Sequence, residues 1–201
     1  RRSWARDLVG RLLDITASLI LLAIAWPVML LSALAIKIED GLSAPVLYHQ
    51  NRVGNDGKVF RVMKFRSMGL DAEADGVARW AAEEDGRVTR VGAWLRRSRF
   101  DELPQLWNVL RGDMRFVGPR PERPEFVASF SENLPYYNER HSVPPGLTGW
   151  AQLCYAYGSS EQDAVEKLKY DLYYIKNRSF LFDLAILIQT VEVIVFGKGA
   201  R

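Results

Sequence analysis

Apolar positions run almost without interruption near the start of the chain. Residues 15–36 carry no charge, and only Thr16, Ser18, Pro27 and Ser32 interrupt their apolar character. As a straight helix these 22 residues are about 33 Å long, close to the hydrocarbon thickness of a bilayer. The pattern predicts a membrane element, and a buried core helix is the alternative.

Pro27 lies near the middle of this segment, where a proline ring removes a helical hydrogen bond and favours a bend. Basic flanks favour the cytoplasmic face of a membrane, and both flanks here are basic. We therefore expect a re-entrant helix, broken at Pro27, that enters and leaves one leaflet; a straight span is the alternative. The flanking cations are Arg1, Arg2, Arg6 and Arg11 before the segment and Lys37, Arg52, Lys58, Arg61 and Lys64 after it.

The rest of the chain mixes strand-like and helical patterns. Two strand-like runs flank Asn55, Asp56 and Gly57, which is typical of a hairpin. Prolines and glycines predict a fixed, non-helical loop over residues 143–152. The fold class is therefore α+β and mostly helical, with a small β-hairpin and interfacial helices around a compact catalytic domain. Helices are predicted over residues 71–82, 91–99, 101–110, 124–131 and 160–177.

A second apolar stretch covers residues 180–196 and is interrupted by Asp183, Gln189, Thr190 and Glu192. It is too polar to span a bilayer comfortably, so it predicts a helix that lies on the membrane or packs in the core, and both alternatives stay open. It is also a candidate homodimer surface. The predicted organisation is a membrane helix with its basic flank over residues 1–40, followed by a cytoplasmic-face catalytic domain over residues 41–201 that ends in this apolar helix.

Composition narrows the chemistry. The single Cys154 excludes an internal disulfide, and two histidines without a cysteine cluster make a zinc site improbable. A net charge of +3 and a pI near 9.0 suit an anionic partner, either a phosphate-bearing substrate or an acidic membrane face. No nucleic-acid partner is expected, because the arginines crowd one carboxylate pair and do not form a long stripe.

The carboxylate pair is Asp101 and Glu102, at the predicted start of the 101–110 helix. A helix start favours ionised carboxylates and phosphoryl groups, although a plain helix cap is the structural alternative. Lys64 and Arg66 lie at the end of the second predicted strand. Seven arginines stand between residues 94 and 123 against four acids, which favours phosphate chemistry. They are Arg96, Arg97, Arg99, Arg111, Arg115, Arg120 and Arg123.

Several stretches together resemble one family. The matching stretches are Asp101-Glu102-Leu103-Pro104-Gln105-Leu106-Trp107-Asn108-Val109-Leu110, Val117-Gly118-Pro119-Arg120-Pro121 and residues 64–68, 112–114, 145–152 and 170–175. Several long motifs in the family's order are highly specific. The chain is similar to the bacterial sugar transferases, the monotopic phosphoglycosyl transferases that act on polyprenyl phosphate, and resembles the catalytic part of a long-form member. The family's bend is commonly Ser-Pro, whereas this chain has Trp26-Pro27.

The resemblance implies transfer of a phosphosugar from a UDP-sugar to polyprenyl (undecaprenyl) phosphate, with release of UMP, as the priming step of surface polysaccharide synthesis. It implies Asp101 as the nucleophile of a covalent phosphosugar intermediate and Glu102 as its partner acid, with both as ligands of Mg²⁺. The implied location is the cytoplasmic face of the bacterial inner membrane. The candidate substrate-binding residues are Lys64, Arg66, Arg96, Arg120, Thr148 and Trp150.

The sugar is not named by the sequence, although the long-form resemblance favours a plain hexose, UDP-glucose or UDP-galactose. Two other functions are considered: a membrane hydrolase of a nucleotide-sugar or polyprenyl diphosphate, and a non-catalytic module that binds anionic lipid.

Overall fold

A long N-terminal helix dominates the computed structural model, which describes residues 4–72, 85–155 and 161–196. Helix α1 (Trp4–Asp40) contains a stretch that is long and apolar enough to cross a membrane, and only 11% of that window is buried against the rest of the chain. Pro27 lies inside α1, which is helical on both sides of it. Because a proline can bend a helix without ending it, a change of direction at Pro27 stays a prediction.

The predicted hairpin is confirmed. Strands β1 (Leu47–Val53) and β2 (Val59–Phe65) pair antiparallel in the register Leu47 to Phe65 and Val53 to Val59. A 3₁₀ turn, Asn55–Gly57, joins them, and Asp56 and Gly57 take the left-handed conformation that a tight turn requires.

The sequence predicts the two carboxylates in the first turn of a helix, and this prediction is wrong. They lie in a short turn that precedes the helix. Helix α2 (Arg90–Arg97) is followed by a 3₁₀ turn, Phe100–Glu102, and helix α3 (Gln105–Arg111) begins only after it. Pro104 has no N–H to donate back to residue 100, and the chain enters α3 through a 3₁₀ turn, with the α-helix beginning at Gln105. Gly112 ends α3 in the left-handed conformation, as expected.

The prediction of a fixed, non-helical loop over residues 143–152 is wrong in part. Strand β3 (Arg115–Val117) pairs in parallel with β4 (Gly146–Thr148), and helix α5 (Trp150–Cys154) follows. A Cβ on Gly146 would stand 2.1 Å from the Gly118 nitrogen, so this pairing depends on two glycines that are distant in sequence. Local turn signals could not reveal such a contact.

Three further helices complete the fold: α4 (Pro124–Asn133), α6 (Glu161–Asn177) and α7 (Phe180–Phe196). A third 3₁₀ segment, Tyr137–Ser142, lies between α4 and β4. From residue 73 on, the helix predicted over 71–82 lies outside the described residues, as does the helix start predicted at residue 160.

Helix α7 has two different faces. Ile186 is fully buried and joins Val117, Val143 and Tyr174 in a hydrophobic core cluster. Leu181 and Ile188 are exposed, by 74% and 60%. The core alternative for this segment is therefore confirmed for one face, and membrane contact stays a prediction for the other.

Polar contacts tie α1 to the rest of the fold at two places. Near its start, Asp14 accepts a hydrogen bond from Arg115 at 2.7 Å, and Arg11 donates to the Val109 and Leu110 carbonyls at the end of α3. Near its end, the Glu39 carboxylate accepts from the first N–H groups of α2, at 2.9 and 3.0 Å. Both helices beside the carboxylate turn are thus held by α1.

A buried ion pair supports the loop that carries Arg120. Arg140 donates to Asp171 at 2.8 Å and to the Arg120 carbonyl at 3.0 Å, and both charged side chains are less than 10% exposed. Tyr137 adds a hydroxyl acceptor at 2.7 Å. The guanidinium is therefore compensated on two sides.

We expect Asp171→Asn to lower stability strongly, because it leaves the buried Arg140 charge without an anion. Breaking a buried pair costs about 3–5 kcal/mol, which is a Tm decrease of about 10 °C in a chain of this size. Lys169→Ala on the same helix is the control, since its 2.6 Å pair with Glu166 is exposed and is worth below about 1 kcal/mol. Equal Tm values for the two variants would contradict a structural role of the buried pair.

Candidate active site

The carboxylate turn places Asp101 and Glu102 side by side below the start of α3. Arg99 lies between α2 and the turn and has a left-handed backbone, φ 61°. Asp101 is 7% exposed. The two acids therefore lie at an interior site and not on a solvated helix face.

Glu102 is held by two cations from different parts of the chain. Its Oε1 accepts a hydrogen bond from Lys64 Nζ of β2 at 2.8 Å and from Arg120 Nη2 of the loop after β3 at 2.9 Å. Burial alone would raise the pKa of Glu102, but the two cations outweigh it and hold the pKa far below the ordinary glutamate range. Glu102 is therefore ionised and fixed in position.

Asp101 has no hydrogen bond to any residue that the structure describes. Burial raises the pKa of Asp101, and the negative charge of Glu102 raises it further. The positive charges of Lys64, Arg96 and Arg120 act in the opposite direction but do not reverse the shift. Asp101 is thus a largely buried residue whose carboxylate has no hydrogen-bond partner among the described residues, in a positive environment.

The contrast between neighbours indicates two different roles. An anion that is already neutralised by two hydrogen-bonded cations is a poor nucleophile and a good positioning group. An anion without partners is reactive and is stabilised by any electrophile or cation that enters the site. A strongly perturbed buried pair of this kind is typical of functional sites.

The structure brings together four of the predicted residues in direct contact or electrostatic range of Asp101. These are Glu102, Lys64, Arg120 and Arg96. Arg96 also donates to the Ser67 hydroxyl at 3.2 Å, so its guanidinium is anchored at its Nε.

The other three predicted residues make their contacts elsewhere. Arg66 is buried and pairs with Asp40, the last residue of α1, at 2.7 Å. The Thr148 hydroxyl lies 2.8 Å from the Thr190 hydroxyl of α7, and the Trp150 ring packs against Phe182 at 5.2 Å between centroids. Substrate contact by these three residues stays a prediction.

Two buried polar residues of α3 were not singled out from the sequence. Gln105 is 3% exposed and its Nε2 has no hydrogen-bond partner among the described residues. Asn108 is fully buried and bonds to the backbone of β2. The signals in the sequence were their place in the family motif over residues 101–110 and an amide inside an otherwise apolar helical stripe.

No group of three or more His, Cys, Asp or Glu side chains suited to a metal occurs among the described residues. The site offers two neighbouring carboxylates. That donor set fits Mg²⁺, which usually takes one or two carboxylates and completes its shell with water and substrate phosphate oxygens.

Comparisons with known proteins find bacterial sugar transferases or proteins named for exopolysaccharide production. A family model described as bacterial sugar transferase matches residues 5–197. The Aeromonas hydrophila UDP-N-acetylgalactosamine-undecaprenyl-phosphate N-acetylgalactosaminephosphotransferase is 45% identical over 193 residues, which are 96% of this chain and 45% of that protein. The Caulobacter vibrioides UDP-glucose:undecaprenyl-phosphate glucose-1-phosphate transferase is 42% identical over 198 residues, 98% of this chain and 73% of that protein.

A third relative is covered almost completely. The exopolysaccharide production protein PSS of Rhizobium leguminosarum is 41% identical over 201 residues, 96% of this chain and 99% of that protein. The chain spans less than half the length of the Aeromonas relative and 36% of a Komagataeibacter xylinus undecaprenyl-phosphate glucose phosphotransferase.

We expect neutralisation of the two acids to change stability in opposite directions. Asp101→Asn removes a buried charge that burial and Glu102 destabilise, so Tm at neutral pH should rise. The gain should shrink on acidification, because a raised pKa means that the folded wild-type chain takes up its proton before the unfolded chain does. Glu102→Gln keeps an acceptor oxygen but removes the negative charge that Lys64 and Arg120 neutralise, a loss on the order of 2 kcal/mol, and should lower Tm by about 4–8 °C.

Thermal unfolding of the purified chain in detergent at several pH values measures both effects. A decrease in Tm for Asp101→Asn at neutral pH would mean that its carboxylate has a stabilising partner.

Proposed function

The chain belongs to the bacterial sugar transferase family, and we propose that it transfers a phosphosugar from a UDP-sugar to undecaprenyl phosphate, with release of UMP. The observation that carries this proposal is the unpartnered carboxylate of Asp101 beside a Glu102 that Lys64 and Arg120 neutralise. The activities for which the relatives are named, on UDP-linked glucose and N-acetylgalactosamine, support the same reaction class.

The proposed reaction has two displacements at one phosphorus atom. An Asp101 carboxylate oxygen attacks the phosphorus that bears the sugar, and the bond from that phosphorus to the bridging oxygen of the diphosphate breaks. UMP leaves with that oxygen, and a phosphosugar ester of Asp101 remains. A phosphate oxygen of undecaprenyl phosphate then attacks the same phosphorus, which releases the Asp101 carboxylate and forms undecaprenyl diphosphate sugar.

The surrounding cations make an attack of anion on anion feasible. Lys64 and Arg120 cancel the charge of Glu102, so it repels the diphosphate less than an unpaired carboxylate would. Arg96, which lies within electrostatic range of Asp101, offers positive charge for the phosphoryl oxygens. The buried setting strengthens these interactions because water does not screen them.

Asp101 and Glu102 would hold Mg²⁺ together with substrate phosphate oxygens. When bound, that ion supplies charge neutralisation for the diphosphate and the leaving UMP. The chain's own part is to keep Glu102 ionised, which its lowered pKa ensures, and to leave Asp101 without a competing hydrogen bond.

In the proposed reaction, the apolar helix α1 holds the site at the surface of the bilayer. One substrate is soluble and the other has its phosphate at the bilayer surface, so the carboxylate turn must lie at the height of the lipid headgroups. Helix α1 contacts α3 through Arg11 and α2 through Glu39, so its depth in the bilayer sets the height of the site. We propose a re-entrant course with both ends at the cytoplasmic face of the inner membrane.

The donor sugar is proposed only as a UDP-hexose, since relatives of similar identity use glucose and N-acetylgalactosamine. The exposed apolar face of α7 stays a candidate surface for membrane contact or for a homodimer.

Asp101→Asn is expected to abolish UMP release, because the amide is not a nucleophile toward phosphorus. With UDP-sugar and no acceptor, the wild-type chain should release about one UMP per site and gain the mass of one phosphosugar, detected by intact-mass spectrometry. Undecaprenyl phosphate should then remove that mass.

Asp56→Asn is the matched control, because Asp56 lies in the exposed hairpin turn, where asparagine accepts the same backbone. Continuous UMP release without acceptor would indicate the hydrolase alternative. Normal turnover by the Asp101 variant would rule out the covalent role.

The re-entrant course predicts that both flanks of the apolar segment face the cytoplasm. In a Cys154→Ser background, single cysteines at Ser3 and Lys58 should both resist an impermeant thiol reagent in intact cells and both react after permeabilisation. Labelling of one of them in intact cells would establish a true span.

A further inference from the structure

Strand β2 has one edge that β1 does not cover. Val46 accepts a hydrogen bond from the Arg66 N–H, so in this register the even-numbered residues of β2 bond to β1. The backbone groups of Arg61 and Met63 therefore face away from β1. Buried backbone groups of such an edge need partners from elsewhere in the fold.

The side chain of Asn108 provides these partners. Its Oδ1 accepts from the Met63 N–H at 3.0 Å, and its Nδ2 donates to the Arg61 carbonyl at 2.8 Å. These are the two bonds that one residue of a third strand would make. The second Nδ2 hydrogen goes to Asp113 Oδ2 at 3.0 Å, so both amide hydrogens are used and the side chain is fully buried.

This contact joins the two halves of the site. Asn108 is on α3, the helix that directly follows the turn with Asp101 and Glu102. Met63 immediately precedes Lys64, whose Nζ lies 2.8 Å from Glu102. The amide therefore sets the distance between the strand that supplies the lysine and the segment that supplies the acids.

We propose that Asn108 is a positioning residue whose side-chain amide takes the place of a third strand and fixes Lys64 against Glu102. The inference rests on the proposed function insofar as the Lys64 and Glu102 contact serves phosphosugar transfer. Asparagine alone suits the position at this length, since aspartate lacks the donor, leucine lacks both groups and glutamine is one methylene longer.

The first test is amide hydrogen exchange of the full chain in detergent. In the wild type, the Met63 amide should be as protected as Val62 and Lys64, although it faces away from β1. Asn108→Leu, similar in size and without polar atoms, should speed exchange at Met63 by about fivefold or more, with Val62 and Lys64 changed less than twofold. Val109→Ala, a neighbouring core truncation, is the control and should not single out Met63.

Asn108→Ala is the second variant, in case the leucine variant does not fold. It loses both amide groups without adding a charge beside Asp113, so exchange at Met63 should again be faster than at Val62 and Lys64. Fast exchange at Met63 in the wild type, or equal effects of Asn108→Leu and Val109→Ala there, would overturn the proposal.

The second test separates positioning from general destabilisation. Asn108→Ala should lower the turnover number for UMP release about tenfold in the wild-type background and less than twofold in a Lys64→Met background, because it acts through the lysine. An equal loss in both backgrounds would mean that Asn108 does not act through Lys64. If the wild-type chain releases no UMP, the proposed function fails, and the exchange data at Met63 still decide whether Asn108 holds the strand.

Discussion

The site depends on the neutralisation of one carboxylate by two cations. Glu102 is largely buried, and an ion in that setting is stable only where nearby charges replace its lost hydration. Lys64 and Arg120 do so from β2 and from the loop after β3. Three segments that are far apart in the chain must therefore meet at one oxygen atom, and the hairpin, α3 and the β3–β4 pair are arranged around that requirement.

Among the residues that the structure describes, Asp101 differs from Glu102 in having no hydrogen-bonded cation. The same cations lie near both acids, but only Glu102 receives their hydrogen bonds, so Asp101 stays a buried charge that the fold does not stabilise. Such a group lowers stability and raises reactivity toward an electrophile, which is the usual trade at an active site. Two adjacent residues with similar side chains thus have opposite effects on the fold.

Helix α1 is part of the same structure and not a separate anchor. Asp14 binds Arg115 at the start of β3, Arg11 binds the last carbonyls of α3, and Glu39 caps α2. Each element that α1 holds lies beside the carboxylate turn or leads into the Arg120 loop. The depth and direction of this helix in a bilayer would therefore be transmitted to the site through short, charged contacts.

Local patterns in the sequence determined the long apolar helix, the hairpin, the end of α3 at Gly112 and the motif that contains both acids, because hydrophobic spacing and turn residues act over a few positions. Only the tertiary structure decided that Glu102 and not Asp101 receives Lys64 and Arg120, that Arg66 pairs with Asp40, and that Gly118 lies against Gly146. These contacts join residues 18 to 38 positions apart in the chain. Which of several cations reaches a given carboxylate depends on packing, and no short-range pattern records it.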